Sequence, residues 1–381
     1  MKKLFLLFHF TFCIVHFSQA QDSCNLRIGL LTCSPGAELY SIFGHTAIRV
    51  QNSATGIDEV YNYGTFEFAP DFYSKFIMGK LLYALAVENF NDFTYQYQLE
   101  SRTVVEQVLQ LNCAEKQKLY AALQTNALEQ NRFYQYDFLL DNCTTRARDM
   151  VERNSFVGVV YKNILPEKIP SFRNLIHGCL HRGNQYWSKL GIDLLLGARI
   201  DIKVTNREAM FLPDNLLQGF DSASVAGAPL VTPQQTIIIM PSPLNKSSLF
   251  TPAVVLTFLC ALIFALSLFK TKTTQTTLST TDFLLFLATG IIGLLLLFMW
   301  FGTDHYWCAN NYNLLWALPT NVVAAFFINK KNSKAKLYFK IIFWLMIIVS
   351  LAWFFLPQQM NTAFLPITLL LTWRSFHLSK K

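Results

Sequence analysis

Charge is what this chain has least of. Only 15% of its 381 residues are Asp, Glu, Lys or Arg, against 52% hydrophobic, and the mean hydropathy is +0.29. A typical soluble globular chain is about a quarter charged, so that class is excluded. Histidine is scarce where it would matter. Between Gln21 and Lys246 only His45, His177 and His181 occur, which leaves few ring nitrogens for a base or a metal. No small-residue lipobox precedes Cys13, so the chain is not itself read as a lipoprotein. The net charge of +8 would suit nucleic acid only if the basic residues were gathered on one surface. They are not: many flank apolar runs.

What is present begins with an export signal. Lys2 and Lys3 open a short apolar run, Leu4 to Phe17, closed by Ser18-Gln19-Ala20. That pattern predicts a signal peptide over residues 1–20, cleaved after Ala20. A polar, aromatic-rich stretch over 21–246 follows, with room for one sizeable domain. It holds Cys24, Cys33, Cys113, Cys143 and Cys179. An exported domain can form disulfides, but an odd count leaves at least one thiol over unless another segment pairs with it.

From Leu249 the chemistry changes. Apolar runs at about 249–269, 282–302, 312–328, 337–356 and 362–376 predict an all-α membrane domain, 247–381, of about five helices, a span needing about 20 residues. The third run contains Pro319, and the fifth is short and also holds a proline. The loops orient these runs. Lys270 and Lys272 follow the first; Lys330, Lys331, Lys334 and Lys336 follow the third, with Lys340 just inside the fourth. Arg374, Lys380 and Lys381 end the fifth, and the loops after the second and fourth carry no Lys or Arg. This alternation is the positive-inside rule, and it places 21–246 outside the cytoplasm. Much of the basic excess is therefore topology, and no nucleic-acid partner is expected. The segment GTDHYWCANNYNLLW, 302–316, returns to the same outer face. Its Asp304, His305, Asn311 and Asn313 are either functional groups at the bilayer edge or parts of an interfacial loop anchored by Tyr306 and Trp307.

Within the outer domain, 28–33, 45–50 and 59–63 read as strands, with Gly56 turning the last two into a hairpin. Pro35–Phe43 suggests a helical turn or two closed by Gly44. Further strands are expected at 82–87 and 103–110, and helices from about Ala114 to Gln130 and at 172–182. The stretch LLDNCTTRARD, 139–149, carries the chemistry. Asn142 is a good N-cap and Asp141 supplies negative charge at a helix start. Cys143, Ala147, Met150 and Val151 share one face at helical spacing. Cys143 is thus predicted on the core side of a first turn, where the helix dipole favours a thiolate. Arg146 flanks the same face and Arg148 is expected at the surface. A cysteine there is also compatible with plain core packing.

A nucleophilic cysteine needs a base close in space. His177 and His181 sit four apart with Cys179 between them. That spacing can bind metal, but no third ligand is evident, and two polar residues on a solvated helix face are the plainer reading. His45 opens a strand directly after Gly44 in FGHTAIRV, a position that can put an imidazole at the rim of a sheet. The order is His on an early strand, a polar residue on the next, then Cys at a helix start nearly a hundred residues on. It resembles a circularly permuted papain-like (NlpC-like) fold, as in lecithin:retinol acyltransferase. LLTCSPGAELYSIFGHTAIRV (30–50), VYNYGTFEF (60–68), LLDNCTTRARD (139–149) and the TDH…NYNLLW loop (303–316) more closely resemble the Bacteroidota-type lipoprotein N-acyltransferase family. That resemblance implies an α+β catalytic domain outside the inner membrane, over 21–246, joined to the membrane domain. It implies Cys143 as nucleophile and His45 as base. Asn62 is the candidate to orient the imidazole, although strand register could instead present Asp58 or Tyr61.

The implied reaction moves an acyl chain from a membrane phospholipid to the α-amine of a diacylated lipoprotein, with no metal, nucleotide or other cofactor. Arg49 or Arg146 would hold a lipid phosphate or carboxylate, or serve as structural ion pairs. Asp304 and His305 would line the entrance or position a headgroup. A membrane-tethered cysteine amidase or peptidase acting on cell-wall peptide uses the same dyad but needs one anchor, not five spans. A transporter or scaffold would not depend on Cys143, and the membrane runs show few charges for a permeation path.

Overall fold

The computed structural model describes residues 24–244, 248–330 and 332–380, so the signal-peptide reading of 1–20 lies outside it. β1 (Leu26–Cys33), β2 (His45–Asn52) and β3 (Ile57–Thr65) form an antiparallel meander. Gly56 turns the second hairpin at φ +74°, a conformation glycine adopts without strain. β4 (Leu82–Asn89), β5 (Val104–Val108), β6 (Phe133–Gln135) and the strand Gln235–Ile238 complete a seven-stranded sheet. Its order is Gln235–Ile238, β5, β1, β2, β3, β4, β6.

Alternation along the strands feeds two cores. Ile28, Leu30, Ile48, Val50, Tyr61 and Tyr63 face helices α3 (Cys113–Ala127) and α4 (Cys143–Asn154). Leu31, Cys33, Ala47 and Val60 face Phe93 and Tyr97 of α2 (Phe90–Leu99). Cys24 and Cys113 form a disulfide that ties the chain ahead of β1 to the start of α3. The segment 35–43 differs from expectation. It is a set of bends and turns, with Gly36 N–H on the Ser41 carbonyl and Gly44 N–H on the same oxygen. Gly44 has φ +83°, and a Cβ there would lie 2.9 Å from the Cys33 carbonyl oxygen. Only glycine fits, and the reversal delivers His45 straight into β2.

In the C-terminal part, Lys272–Phe301 and Ser333–Ala352 are long and apolar enough to cross a membrane. Pro252–Leu266 and Leu365–Lys380 are shorter. The run 312–328 is not a continuous helix. It breaks into a 3₁₀ turn, Tyr312–Leu315, and a five-residue helix, Asn321–Ala325. Proline 319 lacks the N–H a through-helix needs there. The break also lets the backbone close on Gly293, where a Cβ would lie 2.1 Å from the Ala317 oxygen. Deep in this bundle Arg374 holds Asp282 through two bonds of 2.6 and 2.9 Å, both side chains buried.

The two parts are laced together at α6 (Tyr186–Leu195). Asp193, 1% exposed, accepts from Arg173 (2.8 Å) and His177 (2.7 Å) of α5 (Phe172–Arg182), from Lys189 (3.0 Å), and from Asn361 beyond the Ser333–Ala352 helix (2.8 Å). Asn313 and Asn311 donate to the carbonyls of Asp193, Leu194 and Leu195, which the helix end leaves open. His177 is therefore buried in an ionic cluster rather than on a solvated face, because α6 folds back over α5. Asn311 and Asn313 act as braces between the two parts.

Candidate active site

α4 begins where its cap residue dictates. Asn142, 3% exposed, accepts from Thr144 N–H (2.9 Å) and Thr145 N–H (2.8 Å). Its amide nitrogen donates to the carbonyls of Phe138 (2.8 Å) and Phe211 (2.9 Å). Thr145 Oγ1 returns the bond by accepting Asn142 N–H at 2.8 Å, completing a capping box. With every polar atom of Asn142 engaged, the next residue, Cys143, is held at the first turn, 8% exposed and facing the sheet. Of the first-turn N–H groups, only that of Cys143 lacks an acceptor among the described residues.

The strands bring three groups to this sulfur. His45 and the Thr46 backbone N–H act on the thiol electrostatically, and Thr144 Oγ1 lies 3.7 Å away. His45 Nε2–H donates to Asn62 Oδ1 at 2.6 Å, and Asn62 Nδ2 donates to Glu88 Oε1 at 2.7 Å. The carboxylate can only accept, so it fixes which end of the Asn62 amide meets the ring. Nε2 thus carries a proton, and Nδ1 is left for Cys143. Of the three β3 candidates, Asn62 is the one in contact with the ring. Asn62 shares a face with Val60, Tyr61 points into the opposite core, and Asp58 is spent on Arg49.

Burial alone would raise the Cys143 thiol. The His45 charge, the Thr46 N–H and Thr144 outweigh it and bring the thiol down to about 7. Burial pushes His45 down, but its interaction with the Cys143 thiolate and its bond to Asn62 raise it above its usual value. The pair therefore favours thiolate and imidazolium together. A thiolate is the reactive form, so alkylation of Cys143 by iodoacetamide should rise as pH increases through about 7. His45→Gln removes the largest lowering influence, and the limb should move up toward or beyond the ordinary thiol value of about 8.5. Asn62→Ala should shift it less. A limb unmoved in His45→Gln would mean that the imidazole does not govern the thiol.

Of the other expected site residues, Arg146 alone stands beside the thiol's helix turn. Arg49 is 8% exposed, bound to Asp58 (2.6 and 2.8 Å) and Glu106 (3.4 Å), with its guanidinium over the Phe90 ring. Its donors are taken up inside the domain. Arg146 pairs with Asp141 at 2.6 and 2.8 Å and stacks over Tyr134, partly exposed beside the thiol's helix turn. Arg148, expected at the surface, is 3% exposed and donates to the Arg207 carbonyl at 2.9 Å. A later segment covers that side of α4, which helical spacing could not reveal. Asp304 and His305 sit against α1 (Phe72–Met78): Asp304 N–H donates to the Met78 oxygen, and the His305 ring bonds the Phe76 oxygen. Neither has a contact with Cys143.

Sequence reasoning missed Glu88, one of several strand carboxylates with no distinguishing neighbour. Trp307, read from the sequence as an interfacial anchor, has its indole N–H donating to both Asp137 oxygens (2.9 and 3.1 Å). Asp137 in turn accepts Leu139 and Leu140 N–H and shapes the loop that presents Cys143. A cavity of about 250 Å³ between the two parts is lined by Ser171, Asn174, Asp201, Lys203 and residues 353–354 and 356–360, without Cys143.

Two family models match the chain. That of the Lnb N-terminal periplasmic domain covers residues 15–173, and that of the Lnb transmembrane domain covers residues 244–381. No curated protein and no solved structure matches it.

Proposed function

Because the chain belongs to the Lnb family, with a periplasmic domain followed by a membrane domain, we propose that it moves an acyl chain from a membrane phospholipid to a lipoprotein. The acceptor is the free α-amine of a diacylated N-terminal cysteine. The observation that carries this is a thiol at a helix N-terminus, lowered by a neighbouring histidine that is held by Asn62 and, through it, by Glu88, on a chain whose other half is built of apolar helices. In this reading the periplasmic domain is a permuted papain-like fold. The membrane domain crosses the inner membrane five times, the broken 312–328 segment counting as one crossing.

His45 takes the Cys143 proton, and the sulfur attacks the ester carbonyl of the phospholipid. The Cys143 N–H faces the developing oxyanion, preorganised by the capped turn. The C–O bond to glycerol breaks, and the departing lysophospholipid oxygen takes the proton from His45. The acceptor amine, with a pKa of about 7.7–8, then attacks the thioester in its neutral form. His45 removes the extra proton as the C–S bond breaks, and the thiol is restored with an amide as product. We assign Arg146, one turn beyond Cys143 and partly exposed, to the phosphate of the donor.

The test is a trapped intermediate. The purified full chain, incubated with phosphatidylethanolamine and no acceptor, should carry one acyl group on the Cys143 peptide, removed by hydroxylamine. No adduct, together with cleavage of a cell-wall peptide, would replace this reading with the amidase.

A further inference from the structure

We propose that α1 and the residues leading into it form the surface by which phospholipid leaves the outer leaflet for Cys143. The proposal rests on the acyl-transfer reading and adds the route. Phe68 (74% exposed), Tyr73 (71%), Phe76 (51%) and Ile77 (50%) crowd one short stretch. Tyr73, Phe76 and Ile77 share the outward side of α1 at helical spacing, while Phe72 turns inward. Phe66, Phe68, Phe72 and Phe76 touch in sequence, with ring centroids 4.7–6.1 Å apart. An exposed aromatic face of this kind is an interaction surface rather than a solvated one.

Its position names the partner. The C-terminus of α1 is pinned to the outer loop of the membrane domain by Asp304 N–H on the Met78 oxygen (2.9 Å) and by His305 on the Phe76 oxygen (3.0 Å). Gly79, at φ +72°, allows the contact, since a Cβ there would lie 3.1 Å from the Asp304 carbonyl carbon. Asp304 follows closely on Phe301, the last residue of the 30-residue apolar helix. At about 1.5 Å rise per helical residue, α1 cannot stand far from the end of that span. It lies at the depth where aromatic side chains meet lipid headgroups and the first methylenes.

The same face leads inward. Phe66 packs on Tyr83 at 5.3 Å, and Tyr83 stacks on Tyr136 at 4.3 Å. Tyr136, the Tyr134 hydroxyl and Cys143 Cβ all lie within 4 Å of the point above Gly64 where a Cβ would stand. The row of rings therefore runs from the exposed helix to Cys143, and its apolar faces are what an acyl chain would follow. The Tyr134 hydroxyl at its end is buried and has no hydrogen-bond partner among the described residues.

The experiment compares two acyl donors on the full chain, reconstituted in bilayer discs of phosphatidylethanolamine and phosphatidylglycerol. One donor is the bilayer lipid; the other is water-soluble p-nitrophenyl butyrate. Both are read as acylation of Cys143. In the triple variant Phe68→Ser, Tyr73→Ser, Phe76→Ser, the ratio of bilayer to soluble rates should fall at least about 10-fold, as expected when three interfacial aromatics are lost. The corresponding leucine triple should recover most of it. An unchanged ratio overturns the proposal, as does a leucine triple no better than the serine one. Should the serine triple not fold, Tyr73→Ser alone is read by the same ratio. An unsubstituted chain acylated only by the soluble ester would instead remove the acyl-transfer reading, and this surface with it.

Discussion

Cells whose only copy carries Cys143→Ala should accumulate lipoproteins with a free N-terminal amine. Transfer should fall at least about 10⁴-fold, which corresponds to roughly 5.5 kcal/mol of transition-state stabilisation. Nothing nearby can stand in. Cys33 is paired with His45 in the strand register, yet burial, the largest influence on it, pushes its thiol up to about 12. It stays protonated at working pH. Cys179 is pushed up to about 11 by burial. Cys143→Ser should not rescue, because an alcohol in the same pocket must give up a far less acidic proton. Mass spectrometry of lipoprotein N-termini reads the outcome. Full N-acylation persisting on the Cys143→Ala background would sink both the nucleophile assignment and the two-step mechanism.

Asp193→Ala should be the most damaging substitution away from that thiol. Its carboxylate is the shared partner of Arg173, His177, Lys189 and Asn361. Removing it leaves Arg173, fully buried, with only Asp201 and backbone carbonyls. Breaking one side of a buried ion pair costs on the order of 3 kcal/mol, or a drop of about 5–10 °C in the melting temperature of the detergent-solubilised chain. Asn361→Ala removes one hydrogen bond to the charge and should cost about half as much.

The pH dependence has a definite sign. Burial pushes the Asp193 carboxyl up, but His177, Lys189 and Arg173 outweigh it and hold it well below the usual range. A depressed carboxyl contributes stability that is present above the unfolded value, about 3.9. That stability is lost as pH falls further toward the folded one. The gap between wild type and Asp193→Ala should narrow below about pH 4. Equal melting temperatures at pH 7 would show that the cluster adds nothing to stability.

How much of this was legible depends on range. Asn142 as a cap and Cys143, Ala147 and Val151 as one buried face are local facts, fixed by helix period and by the orphan N–H groups of a first turn. The strands at 45–50 and 59–63 were visible for the same reason, as alternation. Asn62 was a choice among three residues until pairing with β4 set the face. Glu88 lies on another strand and had no signal. Arg148 was misplaced because its cover, near Arg207, comes from far along the chain. The polar outer loop was noticed, but its partners Asp137, Asp193 and Phe76 belong to three different elements.

The sequence by itself determined the division into a polar and an apolar half, the orientation of the basic loops, the capped helix start at Cys143 and the histidine that opens β2. Each rests on composition or on neighbours within a turn or two. Only the tertiary structure decided that His45 and Cys143 meet and that Asn62 and Glu88 stand behind the ring. It alone tied the membrane loop to α1 and to the turn before Cys143. Those contacts join residues distant in sequence. Their free energy comes from burying and pairing groups that no local pattern relates, so only the packed fold can select them.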